Sequence, residues 1–432
     1  MISMTLLIAG VLLVLLFLGF PMKVPLLAAA LTVILVYYPT VDGAVIIQQW
    51  IGGIKPSALL AVPLFIFAAD IMTRGQAADR LLNMIMSWVG HLRGGLPITT
   101  AISCTLFGAI SGSTQATVVA IGGPLRPRLM QAGYPSAFST ALIINASDIA
   151  LLIPPSIGMI VYGVVSGTSI GELFIAGIGP GLLILLLFCI YCYIASIRLE
   201  IPRLDRATWA ERRNAVRKAI LPMGFPVIII GGIYTGWFSP TEAAAVSVLY
   251  AVILEFAVFR ELKPRDLPDI ALSTGMVTAV VFVLVGAGAA FSWVISFAEL
   301  PTQLIQEQLG LTAESGYYTI LAAIAIAFFI GCMFVDPIVV ILILTPIFHP
   351  IAVAAGIDPV LVGTIVTLQV AIGSATPPFG CDIFTAIAVF RRPYLEVIRG
   401  TPPFIAILLA VAVLLIVFPQ LALFLRDLAM TD

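Results

Sequence analysis

The chain has 432 residues, of which 61% are hydrophobic and 10% charged, with a formal net charge of -1. So much apolar surface exceeds what a water-soluble domain can bury, which makes membrane lipid the solvent for most of the chain. The charge balance argues against nucleic acid as a partner, and no G-x-x-x-x-G-K-[ST] motif is present to hold ATP, because none of Lys23, Lys55, Lys218 and Lys263 precedes Ser or Thr.

A helix crossing the hydrocarbon core needs about 20 apolar residues. Residues 4–20 and 24–38 form the first two such runs, and the first lacks a basic leader, so it reads as a retained helix and not as a cleaved signal. Lys and Arg collect in cytoplasmic loops. On that rule Lys23, Arg74, Arg80, Arg93, Arg126 and Arg128 lie inside, as do residues 198–218 ("RLEIPRLDRATWAERRNAVRK") and 260–266 ("RELKPRD"). Residues 39–43 ("PTVDG") and 299–315 ("ELPTQLIQEQLGLTAES") contain no Lys or Arg and lie outside. Both termini then emerge outside.

Residues 96–110 are apolar but barely one crossing long, "SGSTQ" (residues 111–115) interrupts them, and residues 116–125 return to Arg126. Since Arg93 and Arg126 both read as inside, this is a re-entrant hairpin with its tip near the midplane. A helix broken in its middle follows over 136–163, marked by "INASDIALLIPPS" (residues 144–156), then a full span over 171–197. Three more spans occupy 220–297. A second hairpin has its tip near Asp336, and a second broken helix covers 359–390, marked by "LQVAIGSATPPFG" (residues 368–380).

Pro127, Ala132, Gly133, Pro154 and Pro155 recur at one offset of 223 residues as Pro350, Ala355, Gly356, Pro377 and Pro378. The number of spans between the copies is odd, so the second copy enters from the opposite face, the inverted symmetry of many secondary transporters. The resulting division is scaffold helices over 1–95, a first transport repeat over 96–197, a basic amphipathic cytoplasmic segment over 198–219, central scaffold over 220–297, a second repeat over 298–400 and one C-terminal helix over 401–432.

Irregular backbone at membrane depth survives only where protein or a water-filled cavity satisfies it, and proline frees a helical carbonyl. Such breaks suit sodium, a hard cation that takes oxygen ligands. The first copy offers Ser111, Ser113, Asn145, Asp148 and the break at Pro154, and the second offers Asp336, Gly373 and Thr376. Ionisable groups inside a membrane are costly, which makes Asp148 and Asp336 the sharpest candidates. Asp336 also suits a cap on a helix starting at Pro337.

The remaining polar residues have plainer readings. Cys104, Cys189, Cys192, Cys332 and Cys381 all lie in apolar segments and read as packing residues. Glu242 in "SPTEAA" looks like a helix start, Asp70, Asp79 and Arg74 like inner-edge charges, and His91 and His349 like structural polar residues. "AISG" (residues 109–112) is one residue away from the G-x-S-G of intramembrane serine proteases, with His349 as the conceivable base. That reading lacks the leading Gly and leaves the repeat unexplained.

At "GAISGSTQATVVAIG" (108–122), "IPPSIGMIVYG" (153–163), "SPTEAAAVSVLYA" (239–251), "MFVDPIVVILILTPI" (333–347) and "TPPFG" (376–380) the chain resembles the large membrane subunit of the tripartite ATP-independent periplasmic (TRAP) transporters. The motifs stand in the family's order over most of the chain. The resemblance implies an all-α polytopic membrane protein of the inverted-repeat, elevator-type fold and no enzyme. It implies sodium-coupled import of a small organic anion across a bacterial inner membrane, with sodium as the coupling ion and no other cofactor. A periplasmic substrate-binding protein would deliver the substrate, and a separate small four-helix membrane subunit would brace the large one. Gly112, Thr114, Gln115, Gln369, Ser374 and Pro377, at the tips and breaks, are expected to face the substrate. With no Lys or Arg at midplane, an anion would rely on helix N-termini and bound cations. The family often has a small or Thr-like residue where this chain has Asp148, and Asn where it has Gln369, so substrate preference does not carry over. A self-sufficient sodium/carboxylate symporter is the alternative, and stable co-purification with a small membrane protein separates the two.

Overall fold

The computed structural model describes residues 2–302, 304 and 309–429. Every regular element among the described residues is helical, as it must be where backbone groups meet hydrocarbon and have to be satisfied within each segment. Seven helices among them are long and apolar enough to cross a membrane. The stretch 299–315, expected outside, lies partly beyond the described residues, as do the two chain ends.

Two groups of helices form a frame. Lys23–Tyr37 and Ala44–Gly53 both lie along Leu267–Phe297. A Cβ at Gly286 would stand 1.9 Å from Trp50 Cδ1, so the absence of a side chain allows this approach. Ala61–Arg74 packs on Pro240–Val252. The latter helix starts in a capping box: Ser239 N–H donates to Glu242 at 2.8 Å, and Glu242 N–H donates to Ser239 Oγ at 3.3 Å. Glu242 is therefore a helix-start residue.

The basic stretch differs from its expected form. It is not a separate segment over 198–219, because Thr208 and Glu211 make a second capping box and one helix runs from Trp209 to Tyr234. Its first turns dock on the amphipathic helix Ala77–Val89, which buries Ala77, Leu81, Leu82 and Ile85 on one face. Arg212 Nε donates to the Ser87 carbonyl at 3.1 Å, and its guanidinium lies 3.3 Å from His91 Nδ1.

Glu255 anchors the start of that amphipathic helix. A π-helical turn, Ile253–Val258, places its carboxylate where it accepts the N–H groups of Gln76 and Ala77, both at 3.1 Å. These are donors that a helix start leaves without intrahelical partners. Glu255→Ala strips both of their acceptor, at about 1–3 kcal/mol each, and should lower the unfolding temperature of the purified protein. Glu255→Gln retains one acceptor oxygen and should lose less. An unchanged unfolding temperature in Glu255→Ala would remove this anchoring role.

The repeats cross over each other. Each hairpin's first arm lies along the first half of its own broken helix: Gly95–Ser111 on Ser136–Ser147, and Tyr317–Phe334 on Pro359–Ser374. Each return arm packs on the second half of the other copy's broken helix: Thr114–Gln131 on Cys381–Phe390, and Pro337–Ala354 on Ile157–Ser166.

Ile170–Arg198 serves as a yardstick for their direction: its 29 residues span about 43 Å. The corner after the first hairpin sits at its C-terminal end, where Tyr134 Oη is 2.8 Å from Ser196 Oγ. The corner after the second hairpin sits at its N-terminal end, where Arg426 bridges Asp358 at 2.8 Å and Glu172 at 3.5 Å. The two copies thus turn at opposite ends of one helix. Arg426 reaches that position because the C-terminal segment is not the single helix expected. Pro402–Val417 and Gln420–Ala429 meet at 60°, at Pro419, which has no N–H to continue the ladder.

Candidate functional site

Two residues, Gly112 and Ser113, separate the arms of the first hairpin. Gly112 has φ +62°, and a Cβ there would lie 2.5 Å from the Pro155 carbonyl oxygen, so only glycine fits against the break of the neighbouring helix. Its carbonyl accepts the Ile157 N–H at 3.4 Å. Ser113 caps the return arm, its Oγ accepting from Ala116 N–H at 3.4 Å. Ser111 Oγ is buried, 3.2 Å from Thr117 Oγ1 and 3.3 Å from the Ser113 carbonyl.

The second hairpin repeats this pattern with a charge added. Val335 and Asp336 separate its arms, and Asp336 Oδ1 accepts from Ile338 N–H at 2.9 Å. Ser113 and Asp336 are related by the same 223-residue offset as the repeat, so a hydroxyl and a carboxylate cap equivalent helices. The Met333 carbonyl accepts from Phe379 N–H at 3.1 Å, which ties this hairpin too to the break of a neighbouring helix.

Each broken helix has its interruption at a cis Pro-Pro bond, Pro154–Pro155 in the first and Pro377–Pro378 in the second. In the first, Ser136–Ser147 passes through a tight turn, Asp148–Leu151, before Ile157–Ser166 resumes, capped by Ser156 Oγ. In the second, Pro359–Ser374 gives way to Cys381–Phe390.

Between these breaks the two copies share polar contacts. Asp382, fully buried, accepts from Thr114 Oγ1 of the first hairpin at 2.8 Å and from Ser374 Oγ of its own helix break at 2.7 Å. Asp148 lies beside Asp382 and the Ser374 hydroxyl, with neither of its oxygens in a hydrogen bond. Gln115 reaches towards Asp336 and Cys381. Asn145 donates Nδ2 to the Ala141 carbonyl at 2.8 Å, which leaves its Oδ1 without a donor, and Gln369 Oε1 is likewise unmatched. Thr376 Oγ1 is turned to the Ile372 carbonyl at 2.6 Å, and Gly373 is pressed on the second hairpin, where a Cβ would meet Cys332 Cβ at 2.5 Å.

Other expected candidates stand apart from this cluster. His349 Nδ1 faces Tyr162 Oη at 3.0 Å, while the Ser111 hydroxyl turns to Thr117, so no serine nucleophile and base are paired. Asp70 accepts from Thr274 Oγ1 at 2.8 Å. The buried basic side chains among the described residues are Arg126 and Arg212. Arg126 is engaged by Thr140 and Ser136, far from Asp148 in its contacts.

Asp382 escaped the sequence reading. Its signal was present, a lone carboxylate in the apolar run "CDIFTAIAVF", and the cost of an intramembrane charge marks it as it marks Asp148 and Asp336.

The family described as "Tripartite ATP-independent periplasmic transporter, DctM component" matches residues 9–421. The chain is 66% identical to the ectoine/5-hydroxyectoine TRAP transporter large permease protein UehC of Ruegeria pomeroyi, over 96% of this chain and 97% of that one. It is 64% identical to the ectoine TRAP transporter large permease protein TeaC of Halomonas elongata, over 99% and 100%. Identity to the C4-dicarboxylate TRAP transporter large permease protein DctM of Pseudomonas aeruginosa is 37%, over 84% and 85%. Among solved structures, the YdaH transporter of Alcanivorax borkumensis superposes with a TM-score of 0.65 at 15% identity, covering 87% of each chain, a likeness of fold.

Proposed function

Because this chain belongs to the DctM family of tripartite ATP-independent periplasmic transporters, we propose that it is the large permease that carries ectoine-type solutes inward on a sodium gradient. It is a multi-pass inner-membrane transporter component and not an enzyme. Identity to the two ectoine permeases, 66% and 64%, far exceeds the 37% to a dicarboxylate permease, which favours ectoine over a plain dicarboxylate. Ectoine is a zwitterion with a carboxylate and a ring amidinium, so the organic anion expected from the resemblance becomes an anion that also carries a cation.

The observation that carries this reading is the meeting of both copies at one buried cluster. Thr114 and Gln115 from the first hairpin converge with Asp148, Ser374, Asp382 and Asp336 from the two breaks and the second tip. Buried oxygens of Asp148 in this cluster, and of Asn145 and Gln369 on the two broken helices, lack a donor. Buried acceptors without donors are costly, and a cation offsets that cost. We assign one sodium to Ser111, Ser113, Asn145 and the Pro154 break, leaving out Asp148, expected among its ligands, because that carboxylate lies beside Asp382, and a second to Asp336, Gly373 and Thr376. Substrate would lie between, against Gly112, Thr114, Gln115, Gln369, Ser374 and Pro377. In this reading the two repeats move as one body past the frame, a small membrane subunit braces that frame, a periplasmic binding protein supplies the solute, and both termini face the periplasm.

Uptake of labelled ectoine by cells that lack their own ectoine uptake tests the reading. Cells with all three components should accumulate it, and cells without the binding protein should not. Accumulation of succinate in place of ectoine would replace the substrate.

A further inference from the structure

Among the ionisable groups at the meeting of the repeats, Asp148 has no hydrogen bond on either oxygen. It is 1% exposed. Its neighbour Asp382 is different, held by the Thr114 and Ser374 hydroxyls. Two carboxylates side by side in a dry setting do not both stay ionised without a compensating cation. The buried basic side chains among the described residues do not supply it: Arg126 is occupied by Thr140 and Ser136, and Arg212 by Ser87 and His91.

Packing does not explain the residue either. The equivalent position in the second copy, 223 residues on, is Ala371, fully buried in the corresponding helix. A methyl group fills the position related by the repeat, inside the helix Pro359–Ser374. The carboxylate of Asp148 is an addition to the architecture, and it stands where both copies meet.

We propose that Asp148, backed by Asp382, is the subsite for the delocalised nitrogen cation of the substrate, the ring amidinium of an ectoine-type zwitterion. This rests on the substrate reading above. A planar N–C–N cation presents N–H donors on either side of a spread positive charge, and ionised carboxylates are its strongest partners. Two neighbouring carboxylates on different helices offer acceptors to both N–H groups. The anionic end of the same molecule is left for the hydroxyls and backbone N–H groups of the tips. A solute with only carboxylates gains nothing from this pair and is repelled by it, so the pair selects against dicarboxylates as well as for the zwitterion.

The test uses the purified complex of this chain with its small membrane subunit, without binding protein, so that the membrane site's own preference is read. Unfolding temperature is titrated in sodium chloride with ectoine, and separately with cyclohexanecarboxylate, a ring of similar size that has the anion and lacks the cation. Wild type should be stabilised by ectoine and not by cyclohexanecarboxylate. Asp148→Asn should raise the half-saturating ectoine concentration at least tenfold and leave the half-saturating sodium concentration unchanged. Unaltered ectoine titration in Asp148→Asn overturns the subsite while the substrate reading stands. A shift in sodium half-saturation with ectoine preference intact assigns Asp148 to the ion and also overturns it. Asp148→Thr serves as a second variant, and failure of both variants to fold makes Asp148 structural, against the proposal. No stabilisation of wild type by ectoine overturns the substrate reading and this inference with it.

Discussion

Asp382→Ala should reduce ectoine uptake by more than a hundredfold. The Asp382 carboxylate is the acceptor shared by the two copies, taking Thr114 Oγ1 of the first hairpin at 2.8 Å and Ser374 Oγ of the second helix break at 2.7 Å. A hydrogen bond to a charged group contributes about 1.5–3 kcal/mol and a buried hydroxyl left without its partner costs about 1–3 kcal/mol, which together reach the about 2.7 kcal/mol that a hundredfold change represents. Removal also leaves the buried Thr114 hydroxyl without its acceptor and frees the hairpin tip from the opposite repeat, while the Ser374 hydroxyl keeps the Ala371 carbonyl at 2.7 Å. Asp382→Asn keeps one acceptor oxygen and should retain measurable uptake, and Thr114→Val should fall between the two. Wild-type uptake in Asp382→Ala, at matched amounts of protein in the membrane, would mean that the bond between the copies is dispensable to transport.

The second large effect is on the response to sodium. Ser113 and Asp336 cap equivalent return arms, so both tips present a side-chain oxygen of the kind a hard cation takes. A ligand that binds only the folded state at about 100 times its dissociation constant adds about 2.7 kcal/mol, a shift of a few degrees in unfolding temperature. The purified chain should therefore unfold higher in sodium chloride than in choline chloride. Asp336→Asn retains an acceptor for the Ile338 N–H but removes the charge, and should shrink the sodium-specific rise with little change in choline. Ser111→Ala should shrink it through the other tip. Equal unfolding temperatures in the two salts would deprive both tips of their assignment as ion sites.

Much of the architecture is legible in the chain's punctuation. Proline and glycine interrupt a membrane helix for reasons that act within a few residues, and so the Pro-Pro pairs, the corners at Gly133 and Gly356 and the tips at Ser113 and Asp336 can be read from spacing alone. The capping role of Asp336 and the helix start at Glu242 are local in the same sense. Asp382 was not reached that way. Its partners are 268 and 8 residues distant, and the pairing across the repeats follows from how the return arm of one copy packs on the broken helix of the other. The same holds for Glu255, which accepts backbone N–H groups 179 and 178 residues away. The charges mark out a basic amphipathic segment that ends at residue 219, whereas the Thr208 and Glu211 capping box starts a helix among them that runs on to Tyr234. The bend at Pro419 was within reach of a local reading, since proline there stops the ladder as it does elsewhere in the chain.

In the proposed mechanism, sodium flowing inward drives an ectoine-type solute through the cluster between the repeats. The most direct measurement is accumulation of labelled ectoine in proteoliposomes that contain the large and small membrane subunits, with ectoine-loaded binding protein outside and either sodium or choline in the external buffer. Accumulation above the external concentration under an inward sodium gradient, and none in choline, is the predicted result. Equal uptake in the two buffers, or uptake that needs a proton gradient in place of sodium, would contradict it.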